Sequence, residues 1–167
     1  MNRVFDFIIK QVDALVYGVI GPFSVMYVFP NFFLGLEKTI GIGFEKIESL
    51  KYLGIILMNL GGVLAIWCAV LMCLSKKASP SPFSAPQKVI ATGPFKLVRH
   101  PMMWALHFVI IGQIFVWCSP MIFVWFLIWI RFSVLYIERY EEPYLISIFG
   151  EDYKNYCKNT PRWFPKS

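Results

Sequence analysis

Three long stretches of this sequence carry almost no charged side chains. Residues 14–36 and 52–75 contain no Asp, Glu, Lys or Arg, and residues 101–137 contain only Arg131 among these types. A helix needs about 20 consecutive apolar residues to cross the hydrocarbon core of a bilayer. Each stretch is long enough to cross, so the chain is predicted to be an all-α integral membrane protein.

The third stretch is too long for a single crossing, because it would measure about 56 Å as one helix. Its middle contains Cys118-Ser119-Pro120. Proline is favoured at the first position of a helix and cannot continue a preceding one. The stretch is therefore predicted to fold as a hairpin of two helices, Pro101–Trp117 and Pro120–Ile137. With this hairpin, the chain has about four transmembrane helices.

The composition agrees with a membrane domain. Hydrophobic residues make up 57% of the chain and charged residues only 16%, whereas average soluble proteins contain about 25% charged residues. The four cysteines form no C-x-x-C pair, so neither a disulfide framework nor a metal site is predicted. The apolar residues near the N-terminus lack a small-residue cleavage site, which indicates a membrane helix and not a cleavable signal peptide.

Most of the net charge of +6 lies in one loop. Residues 76–99 carry five Lys or Arg and no acid, whereas the loop between the first two apolar stretches carries three Lys and three Glu. Basic residues accumulate on the cytoplasmic side of membrane proteins, so this loop and both termini are predicted to be cytoplasmic. Binding to nucleic acid is not expected. The predicted single domain comprises two transmembrane helices in 1–75, a cytoplasmic loop in 76–100, a transmembrane hairpin in 101–137 and a cytoplasmic tail in 138–167.

Two polar residues, Arg99 and His100, directly precede the hairpin. Pro101 is suited to the first helical position, and the N–H groups that follow it are free to bind an acceptor, where the helix dipole favours anions. Together with the two side chains, this corner could hold a carboxylate or a nucleotide-like cofactor. The simpler alternative is an interfacial histidine beside an arginine that only sets the topology.

A hairpin brings its two ends together, so Arg99 and His100 are predicted to lie close to Glu138–Glu142. A carboxylate can accept hydrogen bonds from both hydroxyls of a ribose. Aromatic side chains are frequent in both segments, and their faces suit an adenine or a sulfonium cation. The aromatic residues could equally form an interfacial belt.

Two further ionisable residues lie inside the predicted spans. His107 is two helical turns from His100 on the same face, and Arg131 is about two turns from the end of the fourth helix. Ionisable residues within a span are functional candidates. The alternatives are a neutral histidine that bonds a neighbouring helix and an arginine that snorkels to the interface.

Two motifs, "GPFKLVRHPMMW" and "EEPYLISIFGEDYKNYCKNTPRWFP", resemble those of the isoprenylcysteine carboxyl methyltransferase family and the related phospholipid methyltransferases. The resemblance covers about Gln87 to Pro165. It implies an integral-membrane methyltransferase that uses S-adenosylmethionine and no metal, with a lipophilic substrate that enters from the bilayer between helices. The matching positions of the second motif are Glu141, Glu142, Leu145, Phe149, Gly150, Tyr153, Tyr156 and Pro161.

The resemblance also implies a cytoplasmic cofactor pocket, which the tail completes. The cofactor-binding residues carried over by position are Gln87, Lys88, Val89, Ile90, Phe95, His100, Pro101, Met102, Met103 and Glu141. The chain departs from the family pattern at Met103, Ala105 and Ile137, where the pattern has tyrosine, glycine and a substrate-binding arginine. Arg131 or Arg139 could bind the substrate instead.

Three functions are compatible with the residues. In the first, the protein methylates a lipophilic acceptor, as protein-S-isoprenylcysteine O-methyltransferases do. In the second, the acceptor is a phospholipid amine or a small thiol, which must lose a proton, and His107 is then the candidate base. In the third, the protein is a non-enzymatic membrane scaffold that has lost the cofactor. The departures Met103, Ala105 and Ile137 are the observations that favour this last function.

Overall fold

A computed structural model describes residues 20–74 and 89–165 of the chain. Within these residues all regular secondary structure is helical. The predicted cofactor residues Gln87 and Lys88, and most of the predicted cytoplasmic loop, lie outside the described residues. The chain divides into two compact units. We call Phe23–Ile66 and Met102–Leu135 the hairpin unit, and the described residues of 67–101 and 136–165 the tail unit.

Helix α1 (Phe29–Ile40) follows a short helical turn, Gly21–Phe23, and a π-helical segment, Ser24–Val28. It ends at Gly41, whose φ of 73° is a left-handed conformation that glycine adopts without a steric penalty. The apolar helix α2 (Glu48–Leu74) comes next.

Helices α3 (Pro94–Leu97), α4 (Pro101–Trp117) and α5 (Pro120–Tyr136) follow. The predicted hairpin is confirmed, because α4 and α5 begin at the expected prolines and are separated by two residues. Cys118 makes the turn with a φ of 47°, which is unusual for a residue other than glycine.

The turn between α4 and α5 is fixed by a carboxylate from α1. Glu37 is buried, accepts a hydrogen bond from the Ser119 hydroxyl and lies 3.3 Å from the backbone nitrogen of Met121. Glu37 therefore accepts a hydrogen bond from one of the backbone N–H groups at the start of α5 that have no partner within the helix. This long-range cap explains why a charged residue is buried next to an apolar helix.

Glycines bring α2 close to α4 in the hairpin unit. A Cβ placed on Gly54 would lie 2.5 Å from the carbonyl oxygen of Gly112, and one on Gly61 would lie 2.6 Å from that of Ala105. Such small residues allow the backbones of membrane helices to approach each other. The core of this unit also contains large side chains from α4 and α5, among them Ile110, Ile122, Trp125 and Trp129.

The chain continues beyond α5 as a π-helical segment, Ile137–Glu141, followed by α6 (Glu142–Phe149) and α7 (Glu151–Asn159) in the tail unit. Gly150 separates the last two helices with a φ of 56°.

Two helical stretches are long and apolar enough to cross a membrane, namely Glu48–Met72 and Pro120–Phe149. Only 11% and 28% of their most apolar windows are buried within the chain, so most of this apolar surface faces outward, unlike that of a core helix in a soluble protein. Helix α4 is also apolar but has only 17 residues. The count of four spans and their orientation stay predictions.

Candidate functional site

The tail unit contains six ionisable side chains that contact one another, and we call them the charged cluster. They come from the segment before α4, from the residues around the π-helical segment, and from the C-terminal segment. The cluster consists of Arg99, His100, Glu138, Glu141, Glu142 and Arg162. The predicted proximity of Arg99 and His100 to Glu138–Glu142 is thus confirmed.

Glu142 lies at the centre of the charged cluster, with only 9% of its side chain exposed. Its Oε1 accepts hydrogen bonds from Arg99 Nη1 at 2.6 Å and from Arg162 Nε at 3.0 Å, while Oε2 accepts one from Arg162 Nη2 at 2.6 Å. His100 Nε2 is 3.4 Å from Oε1. Since both carboxylate oxygens are occupied, Glu142 holds the surrounding side chains in place and has little capacity to bind a ligand.

The C-terminal segment is bound to the segment before α4 through backbone groups as well. The N–H of Arg99 donates to the carbonyl of Pro161 at 2.9 Å, and the Tyr156 hydroxyl donates to the carbonyl of Phe95 at 2.5 Å. Burial raises the pKa of the Tyr156 hydroxyl, so it remains a neutral donor. These contacts place Arg162 over Glu142.

The "GPF" motif needs its glycine for two reasons. Gly93 has a φ of 57°, a left-handed conformation, and a Cβ at this position would lie 2.7 Å from the Leu71 side chain at the end of α2. The backbone therefore passes close to α2 before it forms α3 and reaches Arg99.

His100 is buried between two carboxylates. Its Nδ1 is 3.4 Å from Glu141 Oε1, and its Nε2 is 3.4 Å from Glu142 Oε1. Burial alone would lower the pKa of His100, but the two carboxylates outweigh it and raise the pKa above the ordinary value of 6.5. The imidazolium has a donor on each ring nitrogen. In that form the six side chains of the charged cluster carry three positive and three negative charges.

Glu141 differs from Glu142 because one of its carboxylate oxygens has no hydrogen-bond partner among the described residues. Within the part of the chain that the structure describes, no hydrogen-bond donor reaches its Oε2, although this atom is inaccessible to solvent. A buried carboxylate oxygen without a donor costs several kcal/mol, on the order of 1–3. Glu141 Oε2 is therefore an acceptor whose hydrogen-bonding capacity is unused among the described residues.

The other predicted cofactor residues are divided between the two units. Val89, Ile90 and Phe95 are half-buried in the tail unit, and Pro101 at the start of α4 is buried there. Met102 and Met103 are half-buried and belong to the hairpin unit.

The predicted catalytic and substrate residues lie in different surroundings. His107 is buried in the hairpin unit, with Trp104 and Phe126 each edge-on to its ring at a centroid distance of 5.9 Å. Arg131 on α5 and Arg139 in the π-helical segment are both exposed. Glu138 in the tail unit is bound by Arg162. The substrate-binding role of the two arginines stays a prediction.

Arg162 is not among the candidate site residues that the sequence predicts. Charge balance could have revealed it. Three glutamates share one face near Arg99 and His100, and a buried group of carboxylates needs a matching number of cations. Arg162 is the cation of the C-terminal aromatic segment.

The described helices and the charged cluster define a class of protein, namely an all-helical membrane protein with a buried group of ionisable side chains at the start of a helical hairpin. The sequence profile of the phospholipid methyltransferase family matches residues 50–152, which is more than half of the chain. The chain belongs to this family. It is therefore a membrane protein of the methyltransferase class. No match was found among curated proteins or among solved structures.

Proposed function

We propose that this protein transfers a methyl group from S-adenosylmethionine to a lipophilic acceptor at the membrane surface. The observation that carries the proposal is the buried, unoccupied oxygen of Glu141 beside His100. Membership in the phospholipid methyltransferase family supports the reaction class. The cofactor is suggested by the resemblance of the two sequence motifs and by the donor and acceptor set of the charged cluster.

The residues present fit this cofactor. A ribose presents two hydroxyl donors, for which Glu141 Oε2 is a suitable acceptor. Aromatic rings that suit an adenine or a sulfonium are nearby, since the Trp163 ring lies 6.3 Å from that of His100. When bound, S-adenosylmethionine would supply the methyl group of its sulfonium, and the sulfur would leave as the thioether S-adenosylhomocysteine. In the tail unit, the side chains expected to hold the cofactor are Val89, Ile90, Phe95, His100, Pro101 and Glu141.

The protein's own contribution is to position groups and exclude water. Arg99 and Arg162 hold Glu142, and Glu142 together with Glu141 holds His100. The two carboxylates raise the pKa of His100, and because each contacts one ring nitrogen, they fix the orientation of the ring. No side chain of this cluster needs to form a covalent bond during the reaction.

We favour a phospholipid-like amine as the acceptor. The family match supports this choice, and Ile137 occupies the position of the arginine that the isoprenylcysteine enzymes use for their carboxylate substrate. An amine must lose a proton before it attacks, so a base is useful. His107 is the candidate, because it is an ionisable side chain within an apolar helix and a neutral imidazole can accept a proton.

The cofactor is tested by calorimetric titration of the full-length protein in lipid nanodiscs with S-adenosylhomocysteine. We expect micromolar binding by the wild type and a loss of about 10- to 100-fold for Glu141→Gln, since charge-assisted hydrogen bonds are removed. Glu151→Gln is the matched control, because Glu151 is exposed and pairs only with Lys154 among the described residues. If folded wild-type protein does not bind, the cofactor proposal is wrong and the scaffold alternative gains support.

The acceptor is tested by methyl transfer to vesicles that contain phosphatidylethanolamine, in parallel with a farnesylated cysteine derivative. We expect labelled methyl groups in the amine headgroup, with a loss of rate in His107→Gln that becomes smaller as the pH rises and the amine deprotonates by itself. Transfer to the farnesylcysteine carboxylate alone, with no effect of His107→Gln, would instead identify an isoprenylcysteine-type acceptor.

A further inference from the structure

Asn59 lies near the middle of the candidate span Glu48–Met72, on an exposed face of α2. Its Nδ2 donates to the carbonyl of Ile55 at 2.8 Å, one turn earlier in the same helix. Among the residues that the structure describes, no donor reaches its Oδ1, and one Nδ2 hydrogen is not used. Because α2 is long and apolar enough to cross a membrane, we expect this carboxamide to face hydrocarbon.

This position is costly unless another polar group binds to it. A polar group in hydrocarbon without a hydrogen bond loses several kcal/mol, and no water is present there to compensate. Interhelical hydrogen bonds of asparagine side chains are a known cause of association between membrane helices. The chemistry of Asn59 therefore calls for a second helix.

The shape of the same face permits a helix to approach. Ile55, Asn59, Gly62 and Ile66 follow one another at i, i+4, i+7 and i+11 and share one side of α2. A Cβ placed on Gly62 would meet nothing within 4 Å. By contrast, a Cβ placed on Gly61 would collide with α4. Helix α2 thus has one glycine-containing face already occupied and a second that is open.

We propose that this open face of α2 binds a second copy of the same chain, with the two Asn59 side chains exchanging hydrogen bonds across a two-fold axis. A carboxamide contains both a donor and an acceptor, so two copies satisfy each other reciprocally, as an isologous interface requires. Gly62 lies one turn away and lets the two backbones approach. The proposal rests on α2 alone and does not depend on the proposed methyltransferase function.

The experiment measures energy transfer between two populations of the full-length protein, labelled through donor and acceptor fluorescent fusions and mixed in lipid vesicles. The protein-to-lipid ratio is varied, so that association is separated from crowding. We expect association that follows a dimer equilibrium. Asn59→Leu should weaken it by about 5- to 30-fold, the strength measured for interhelical bonds of this type. Asn59→Gln, which keeps the carboxamide, should retain part of it.

Two further variants complete the test. Gly62→Leu should weaken association as well, because its side chain fills the space at the proposed interface. Leu60→Ala is the control, since Leu60 is exposed on another side of α2, and it should leave association unchanged. Helicity and tryptophan fluorescence confirm that each variant is folded. The proposal is wrong if the wild type is monomeric at every ratio, or if Asn59→Leu associates as strongly as the wild type.

Discussion

The charged cluster offers a comparison between two glutamates that bind the same arginine. Glu138 and Glu142 both accept hydrogen bonds from Arg162, at 2.5 and 2.6 Å. The side chain of Glu138 is 43% exposed, whereas that of Glu142 is 9% exposed and also binds Arg99, which is itself only 13% exposed. The two carboxylates are therefore matched in chemistry and differ in burial.

We expect Glu142→Gln to cost about 3–5 kcal/mol of unfolding free energy, because it leaves the buried guanidinium of Arg99 without a counter-charge. Glu138→Gln should cost only about 0.2–1 kcal/mol, the usual contribution of an exposed ion pair. The difference between the two variants is thus several kcal/mol. The difference reflects the burial of Glu142 and its additional ion pair with Arg99, since each variant removes one negative charge next to Arg162.

The assay is reversible unfolding in mixed detergent micelles, followed by tryptophan fluorescence with increasing denaturing detergent. Glu151→Gln serves as a baseline, since its partner Lys154 lies on the exposed side of α7. If Glu142→Gln and Glu138→Gln differ by less than about 1 kcal/mol, our assignment of Glu142 as the buried centre of the charged cluster is refuted.

Three other predictions use the same unfolding measurement. Glu141 and Glu142 raise the pKa of His100 above its ordinary value of 6.5. The protonated ring therefore contributes its full stabilisation below pH 6.5, and this contribution is lost as the pH rises through the folded-state pKa. The stability advantage of wild type over His100→Asn should therefore shrink as the pH rises above about 6.5, and an advantage that grows with pH would contradict the ion pairs with Glu141 and Glu142. Gly61→Ala should cost about 1–3 kcal/mol through overpacking against α4, whereas Gly35→Ala, with nothing within 4 Å of its added Cβ, should be neutral or slightly stabilising; equal costs would refute the close approach of α2 and α4. Glu37→Ala should cost about 1–3 kcal/mol, because the donors at the start of α5 lose their acceptor, and no loss of stability would show that this long-range cap is unimportant.

The helical hairpin was predictable to within a residue from local information. Its apolar residues excluded a loop, its length excluded a single crossing, and Pro120 marked the start of the second helix. The close approach of Arg99 to Glu142 followed from the hairpin, because antiparallel helices of equal length return the chain to the side from which it left. Prediction succeeded here because each step depended on a single physical constraint.

The π-helical segments were not predictable in the same way. Ile137–Glu141 and Ser24–Val28 each contain one wider turn, and no residue type specifies such a turn. It forms where contacts with the surroundings compensate for its weaker backbone geometry. At Val25 and Met26, for example, the carbonyl oxygens accept hydrogen bonds from Trp125 and Gln113. Such a compensation depends on residues about 90 positions away along the chain.

Glu141 and Glu142 show which part of the candidate site could not be predicted from the sequence. Sequence placed Glu141 and Glu142 together beside His100, but adjacent carboxylates in a helix point in directions about 100° apart. The structure assigns them different tasks, because Glu142 is surrounded by Arg99 and Arg162 while one oxygen of Glu141 remains open. That difference arises from where the C-terminal segment lies, and the segment's path depends on the turn at Gly150 and on the hydrogen bond from Arg99 to Pro161. A segment with no periodic pattern thus decides which of two identical side chains keeps an oxygen without a hydrogen-bond partner. For this reason we expect Glu141→Gln to weaken cofactor binding and Glu142→Gln to destabilise the fold.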